Sequence, residues 1–183
     1  MPIRALLSLG LLALALAGCG NSGGGRALTR TEIGKALAGS PAPLAGLHAQ
    51  ASALIGGGES AFRTRLTALR GHPVVVNRWA AWCEPCRAEF TLLQRAAVTV
   101  GKRIAFVGVD AEDSRDSART FLDRHLVPYP SYEDPHSTIS KSLKATIGMP
   151  ITLFFDARGN WVFTHPGPYT SEKALLADIA RYT

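Results

Sequence analysis

A run of β-branched and aromatic residues, Val74-Val75-Val76-Asn77-Arg78-Trp79, leads within a few positions to Cys83-Glu84-Pro85-Cys86, and a helical pattern over Glu84–Val100 follows. The run suits a strand buried on both faces. Phe90, Leu93, Ala97 and Val100 recur at helical spacing, and Gly101 supplies the stop. A CxxC pair at such a junction demands a buried strand to hold the loop and a helix N-terminus to receive it. Cys83 is expected at or just before the first helical turn. Unpaired N–H groups and aligned peptide dipoles there favour an anion, and bring cysteine pKa values from about 8.5 to roughly 3.5–7.5 in known cases. That makes Cys83 the candidate nucleophile. Cys86 lies one turn on, on the same helical face, within reach of a disulfide, and is expected to be the less exposed, resolving thiol.

The remaining pattern places these residues in an α/β domain. A helix is predicted over 62–70, closed by Gly71, with Phe62, Leu66 and Leu69 on one face. A second apolar strand covers 104–109, and helices cover 117–127, with Phe121, Leu122 and Leu126 inward, and 137–146. After the Gly148-Met149-Pro150 turn, strands over Ile151–Phe155 and 161–164 form an antiparallel pair. Gly159 and Asn160 between them suit the positive φ of a hairpin turn. A closing helix over 171–182 starts at Ser171 and Glu172. A central mixed sheet with helices on both faces accommodates this order. Residues 26–60, rich in Gly, Ala, Ser and Pro, read as a weakly structured lead-in. It holds one short helix over 31–38, with breaks at Ser40-Pro41-Ala42-Pro43 and Gly56-Gly57-Gly58.

The N-terminus reads as an address and an anchor. Arg4 precedes an apolar stretch over 5–17 that falls short of the roughly 20 residues needed to span a bilayer, as expected of an export signal. The stretch ends at Leu16-Ala17-Gly18-Cys19, which resembles a bacterial lipobox and makes Cys19 the candidate lipidation site and mature N-terminus. An ordinary signal cleaved nearby, leaving Cys19 unmodified or removing it, is the alternative. Residues 20–25 supply a flexible tether. The chain is thus divided into a signal over 1–18, a tether and lead-in over 19–43, and a folded domain over 44–183, held by a lipid anchor at the extracytoplasmic face of the cell membrane. In that setting a CxxC pair can cycle between dithiol and disulfide.

Other chemistries fit less well. The 183 residues carry a formal charge of +6, but the basic residues are scattered. No clustered footprint for nucleic acid is present, so no nucleic-acid partner is expected. CxxC is also half of a zinc site, yet zinc needs two further ligands. His48, His72, His125, His136 and His165 are far apart in sequence and no second CxxC exists, so no metal or other cofactor is expected. A copper-handling lipoprotein, using the cysteines with a histidine, is the alternative function. A peroxiredoxin-type peroxidase is a weaker one, since the dithiol is already a complete exchange unit.

Together, the segment from Val74 through Trp82-Cys83-Glu84-Pro85-Cys86-Arg87-Ala88-Glu89-Phe90 closely resembles the active-site segment of the TlpA/ResA-like branch of the thioredoxin superfamily. Gly148-Met149-Pro150-Ile151-Thr152 resembles that family's loop with a cis-proline before a strand. The likeness spans about 44–183 and leaves out the lead-in. It implies a thioredoxin-like fold and a thiol-disulfide oxidoreductase that reduces disulfides of secreted proteins, apocytochrome c among the candidates, and is recharged by a membrane thiol donor. It further implies that Pro150 is cis and packed against the Cys83–Cys86 disulfide, and that the Met149 backbone is free to pair with a substrate chain. Trp82 offers apolar surface beside the sulfurs. Glu89 is implied to sit in the active-site cavity, relaying protons and raising the thiol pKa values by like-charge repulsion; the alternative is a solvent-facing residue paired with an arginine. Asn77 stands where cytoplasmic thioredoxins carry a buried aspartate and cannot titrate, which leaves Glu89 as the proton partner. Arg78 departs from the aromatic residue common at its position.

Overall fold

The computed structural model describes residues 25–183. The export signal, Cys19 and the first part of the tether therefore lie outside the described residues. Among the described residues no helix is long and apolar enough to cross a membrane.

The elements follow in the order α1 (Arg30–Leu37), α2 (Ala42–His48), β1 (Leu54–Ile55), α3 (Gly58–Ala68), β2 (Val74–Trp79), α4 (Glu84–Val100), β3 (Ala105–Ala111), α5 (Arg115–Arg124), β4 (Ser131–Asp134), α6 (Thr138–Ser142), β5 (Ile151–Phe155), β6 (Trp161–Pro166) and α7 (Glu172–Tyr182). The strands form one mixed sheet in the order β1-β4-β3-β2-β5-β6. Strands β1 to β4 are parallel to one another, while β5 runs antiparallel to β2 and β6 antiparallel to β5.

Every residue of β2 is buried, since both sheet faces are covered and β3 and β5 flank it. Alternate side chains divide between two cores. Val75 and Trp79 pack with Phe90 and Leu93 of α4, Phe121 of α5 and Leu175 of α7. Val74 and Val76 pack on the other face with Leu44 and Leu47 of α2, Phe62 of α3 and Ile139 of α6. Trp79 anchors the first core, T-shaped against Phe90 at 5.0 Å, and its indole N–H donates to Ser131 Oγ at 3.0 Å. Gly108 on β3 makes room for that bond, because a Cβ there would stand 2.9 Å from Trp79 Nε1. Burial of the large side chain and of its one polar atom with a partner fixes the end of the strand that leads into the CxxC loop.

The lead-in is more ordered than its composition suggests. Leu44 and Leu47 of α2 are core residues, and Ile33 and Leu37 of α1 are buried, with α1 packed on α4. Pro41 and Pro43, read from sequence as a break, are the N-cap and first turn of α2, where a missing N–H costs nothing. Gln94 of α4 holds the lead-in directly. Its Oε1 accepts from Leu28 N at 2.6 Å, and its Nε2 donates to the carbonyls of Leu28 and Leu126. Ordered packing therefore begins before residue 44. Strand β4 lies within the stretch between the helices expected over 117–127 and 137–146, which are shorter in the structure. Leu126 consequently falls past the end of α5.

Candidate active site

Strand β2 carries the chain to Ala80, and a turn at residues 81–82 sets Cys83 as the N-cap of α4. Pro85 occupies the first turn of that helix, where its fixed φ suits the geometry. Cys83 and Cys86 are joined as a disulfide with a Cα–Cα distance of 5.3 Å. The Cys86 N–H points at Cys83 Sγ at 3.2 Å. Cys83 is 4% exposed and Cys86 0%, so the first sulfur is the one a partner can reach.

Cys83 opens into a cleft of about 340 Å³ whose walls include Arg78, Trp82, Glu112, Gly148 and Met149. Trp82 is 59% exposed, and its indole N–H donates to the Glu112 carbonyl at 3.0 Å. Asp113 Oδ2 accepts the Ala81 N–H at 2.6 Å and so ties down the turn that precedes the cysteines. The opposite wall carries the Met149–Pro150 peptide, which is cis. Pro150 is buried with its carbonyl bonded to Gly167 N, whereas Met149 is half-buried and its backbone groups take no partner among the described residues. Trp82, Cys83 and Met149, singled out from sequence, thus meet around one opening.

Glu89 lies elsewhere. It is buried rather than on the cleft wall or facing solvent, and among the described residues it pairs with no arginine. Its Oε1 accepts from Asn77 Nδ2 at 2.8 Å and its Oε2 from Tyr169 N at 2.9 Å. Tyr169 is held in turn by its hydroxyl, which donates to Asp178 at 2.6 Å. Burial raises the Glu89 pKa to about 7, with the two hydrogen bonds pulling the other way. It lies one helical turn along α4 from Cys86, with its pKa brought close to neutrality.

Three further groups at this end of the sheet were not visible in the sequence pattern as parts of the site. Arg78 is 3% exposed and fully engaged by polar partners. Glu112 joins Arg78 to the Trp82 rim. Asp110 is buried in β3, in register with Trp79 and Glu133. Burial, then the nearby carboxylates Asp113, Glu133 and Asp134, push its pKa up to about 8. Charges inside apolar strands were the available signal, but their partners come from distant segments. Among the described residues no group of three or more His, Cys, Asp or Glu side chains is placed to hold a metal ion.

Residues 46–163 match the model of the AhpC/TSA family. The chain is 34% identical over 116 residues to a thiol:disulfide interchange protein DsbE homolog of Paracoccus denitrificans, covering 57% of this chain and 62% of the relative. It is 30% identical over 119 residues to the thiol-disulfide oxidoreductase ResA of Oceanobacillus iheyensis, covering 63% of this chain and 62% of the relative. The chain spans about half to two thirds of the length of the curated relatives it matches. A Chlorobium tepidum structure, described as a thiol:disulfide interchange protein DsbE, superposes on 64% of this chain and 84% of its own. Its TM-score is 0.59 at 25% identity, which makes the fold thioredoxin-like.

Proposed function

The chain belongs to the AhpC/TSA family, and from that membership we propose that it is a thiol-disulfide oxidoreductase of the extracytoplasmic face, held there by a lipid on Cys19, that reduces disulfides of secreted proteins. The observation that carries this reading is Cys83 at the N-cap of α4, its sulfur facing the Cys86 N–H and opening into the cleft beside the cis Met149–Pro150 peptide. A helix N-terminus with a free N–H favours a thiolate over a thiol.

In the reduced protein the Cys83 thiolate attacks one sulfur of the substrate disulfide. A Cys83–substrate bond forms, and the displaced sulfur leaves as a thiolate that takes up a proton. Cys86 then loses its proton and attacks Cys83 Sγ, closing the Cys83–Cys86 disulfide and releasing the second substrate thiol. Two electrons pass from the enzyme dithiol to the substrate, and a membrane dithiol donor returns them. Glu89 is the base for the Cys86 proton, through the interior rather than the cleft, since its pKa near 7 lets it gain and lose a proton at working pH. Substrate peptide lies along the cleft, with its backbone against the open N–H and carbonyl of Met149 and its side chains on Trp82. Apocytochrome c is one secreted polypeptide that such a cleft can take.

The test is a Cys86→Ser variant incubated with an oxidised peptide. It is expected to accumulate a covalent adduct on Cys83 that a reductant releases, while Cys83→Ser forms none. Adducts on neither variant, or on the Cys83→Ser protein alone, would overturn the assigned roles. Mass spectrometry of the membrane-bound protein for a diacylglyceryl group on Cys19 tests the anchor.

A further inference from the structure

A buried arginine near the end of a valine-rich strand needs an account, because an unpaired guanidinium there would cost far more than one hydrophobic side chain contributes. The Arg78 fork has three polar partners in three directions. Nε donates to Ser140 Oγ at 2.9 Å, Nη1 to the Gly148 carbonyl at 2.8 Å, and Nη2 to Glu112 Oε1 at 2.7 Å. Each partner belongs to a different segment: α6, the loop before Pro150, and the turn between β3 and α5. Glu112 extends the connection, since its Oε1 also accepts from Ser137 Oγ at 2.7 Å and its carbonyl receives the Trp82 indole N–H.

Both walls of the cleft are therefore fastened to one side chain. Met149 packs against both cores, but the part of that wall formed by residues 146–148 has little else to fix it. Ile147 is 88% exposed, Thr146 and Gly148 are exposed, and Gly148 has φ +79, a conformation open to glycine. Its neighbours are secured on either side. Ala145 N donates to the Ser140 carbonyl at 2.9 Å, and Ile151 pairs with Arg78 in the sheet. Between Ala145 and Met149 the bond from Arg78 to the Gly148 carbonyl is the polar contact that ties the exposed part of the loop to the Trp82 side of the cleft. Ion-pair energy is not the point of the arrangement, since Glu112 is half-exposed and such pairs contribute little. The planar fork holds three acceptors at fixed angles, which a lysine or an apolar residue cannot reproduce.

We infer that Arg78 is a positioning residue of the cleft, clamping the loop before Pro150 to the Glu112–Trp82 rim so that the opening above Cys83 is preset to receive an extended polypeptide rather than a small disulfide. This inference rests on the thiol-disulfide reading above and names the residue that sets the selectivity of that same site for polypeptide disulfides. A polypeptide reads the spacing of both walls, while a small disulfide needs only the sulfur.

Single-turnover kinetics of the pre-reduced full chain, followed by tryptophan fluorescence, test it with two oxidants, a disulfide-bonded peptide and hydroxyethyl disulfide. Arg78→Met is expected to raise the half-saturation concentration for the peptide about tenfold, with the limiting rate reduced less than threefold. The second-order rate with hydroxyethyl disulfide should also fall less than threefold. Arg78→Lys, which keeps the cation and gives up the fork, is expected to raise the peptide value about threefold. Equal losses for both oxidants, or an unchanged peptide value in either variant, would overturn the positioning role. So would loss of folding in both variants, which would make Arg78 a core residue and nothing more. If the unsubstituted protein reacts with neither oxidant, the thiol-disulfide reading fails and takes this inference with it; if it reacts with both and the variants follow suit, only the inference fails.

Discussion

Asp110→Asn should make the protein more stable, and by an amount that grows with pH. Asp110 is buried in β3 among Asp113, Glu133 and Asp134, and its pKa is raised from 3.8 to about 8. Between those values the unfolded chain gives up the proton while the folded chain keeps it. The unfolded state then binds fewer protons, so stability falls as pH rises, by about 1.4 kcal/mol per pH unit for this one group. At pH 7 the accumulated cost is about 4 kcal/mol, a large part of the roughly 5–15 kcal/mol that holds a domain folded. Asparagine has the shape of the protonated acid and no proton to lose, and its amide hydrogens face carboxylate neighbours. Urea unfolding of the oxidised protein and of Asp110→Asn at pH 5, 6, 7 and 8 measures the difference. The stability gap is expected to open near pH 4, stand at about 2 kcal/mol at pH 5 and about 4 kcal/mol at pH 7, and level off above pH 8. A gap that is constant with pH, or one that closes as pH rises, would refute the claim that the folded protein holds this proton.

Three other outcomes follow from the same geometry. Glu89→Gln should abolish the inflection near pH 7 in the rate of the second, Cys86-dependent step and slow that step about a hundredfold, read by stopped-flow trapping of the mixed disulfide. Leu47→Ala should cost about 2–5 kcal/mol in urea unfolding, because the side chain is fully buried and the second core cannot collapse into the space. Gln94→Ala should cost about 1–3 kcal/mol and speed proteolytic cleavage near Leu28, since the residue holds that segment by two hydrogen bonds and ties it to the Leu126 carbonyl by a third.

The elements legible from sequence are those in which local and long-range preferences agree. For α4, Pro85 sits in the first turn, Gly101 closes the helix, and the apolar stripe between them faces the sheet, so the expected limits of Glu84–Val100 coincide with the observed ones. Strands β5 and β6 pair around a turn whose Gly159 has φ +85. Strand β4 illustrates the opposite case. Ser131-Tyr132-Glu133-Asp134 has the composition of a loop, and what makes it a strand is tertiary. Ser131 Oγ receives the Trp79 indole, and the Asp134 carboxylate accepts the backbone N–H groups of Ile139 and Ser140. Strand β1, only two residues long, exists because β4 gives it a partner. Such polar segments are buried at no net loss only when partners from elsewhere arrive, and those partners leave no local trace.

The same distinction separates the parts of the site. Cys83, Cys86, Trp82 and the Met149–Pro150 turn are legible because a local motif carries their chemistry. Arg78 and Asp110 carry theirs through residues far along the chain: the Gly148 carbonyl lies 70 positions from Arg78, and Glu112 lies 34 away. Each is nonetheless marked by a local inconsistency, a charge at the end of a strand that is otherwise built to be buried. Strands β2 and β3 are parallel neighbours, and Arg78 and Asp110 stand within one residue of each other in their register, at the ends from which the CxxC turn and the Glu112–Asp113 turn emerge. Both turns are hydrogen-bonded by carboxylates or carbonyls of this cluster, so the buried ionisable groups are concentrated where the reacting sulfur must be held. An apolar pair at these two positions would give a better-packed sheet and leave the Gly148 carbonyl and the cleft rim without their shared anchor.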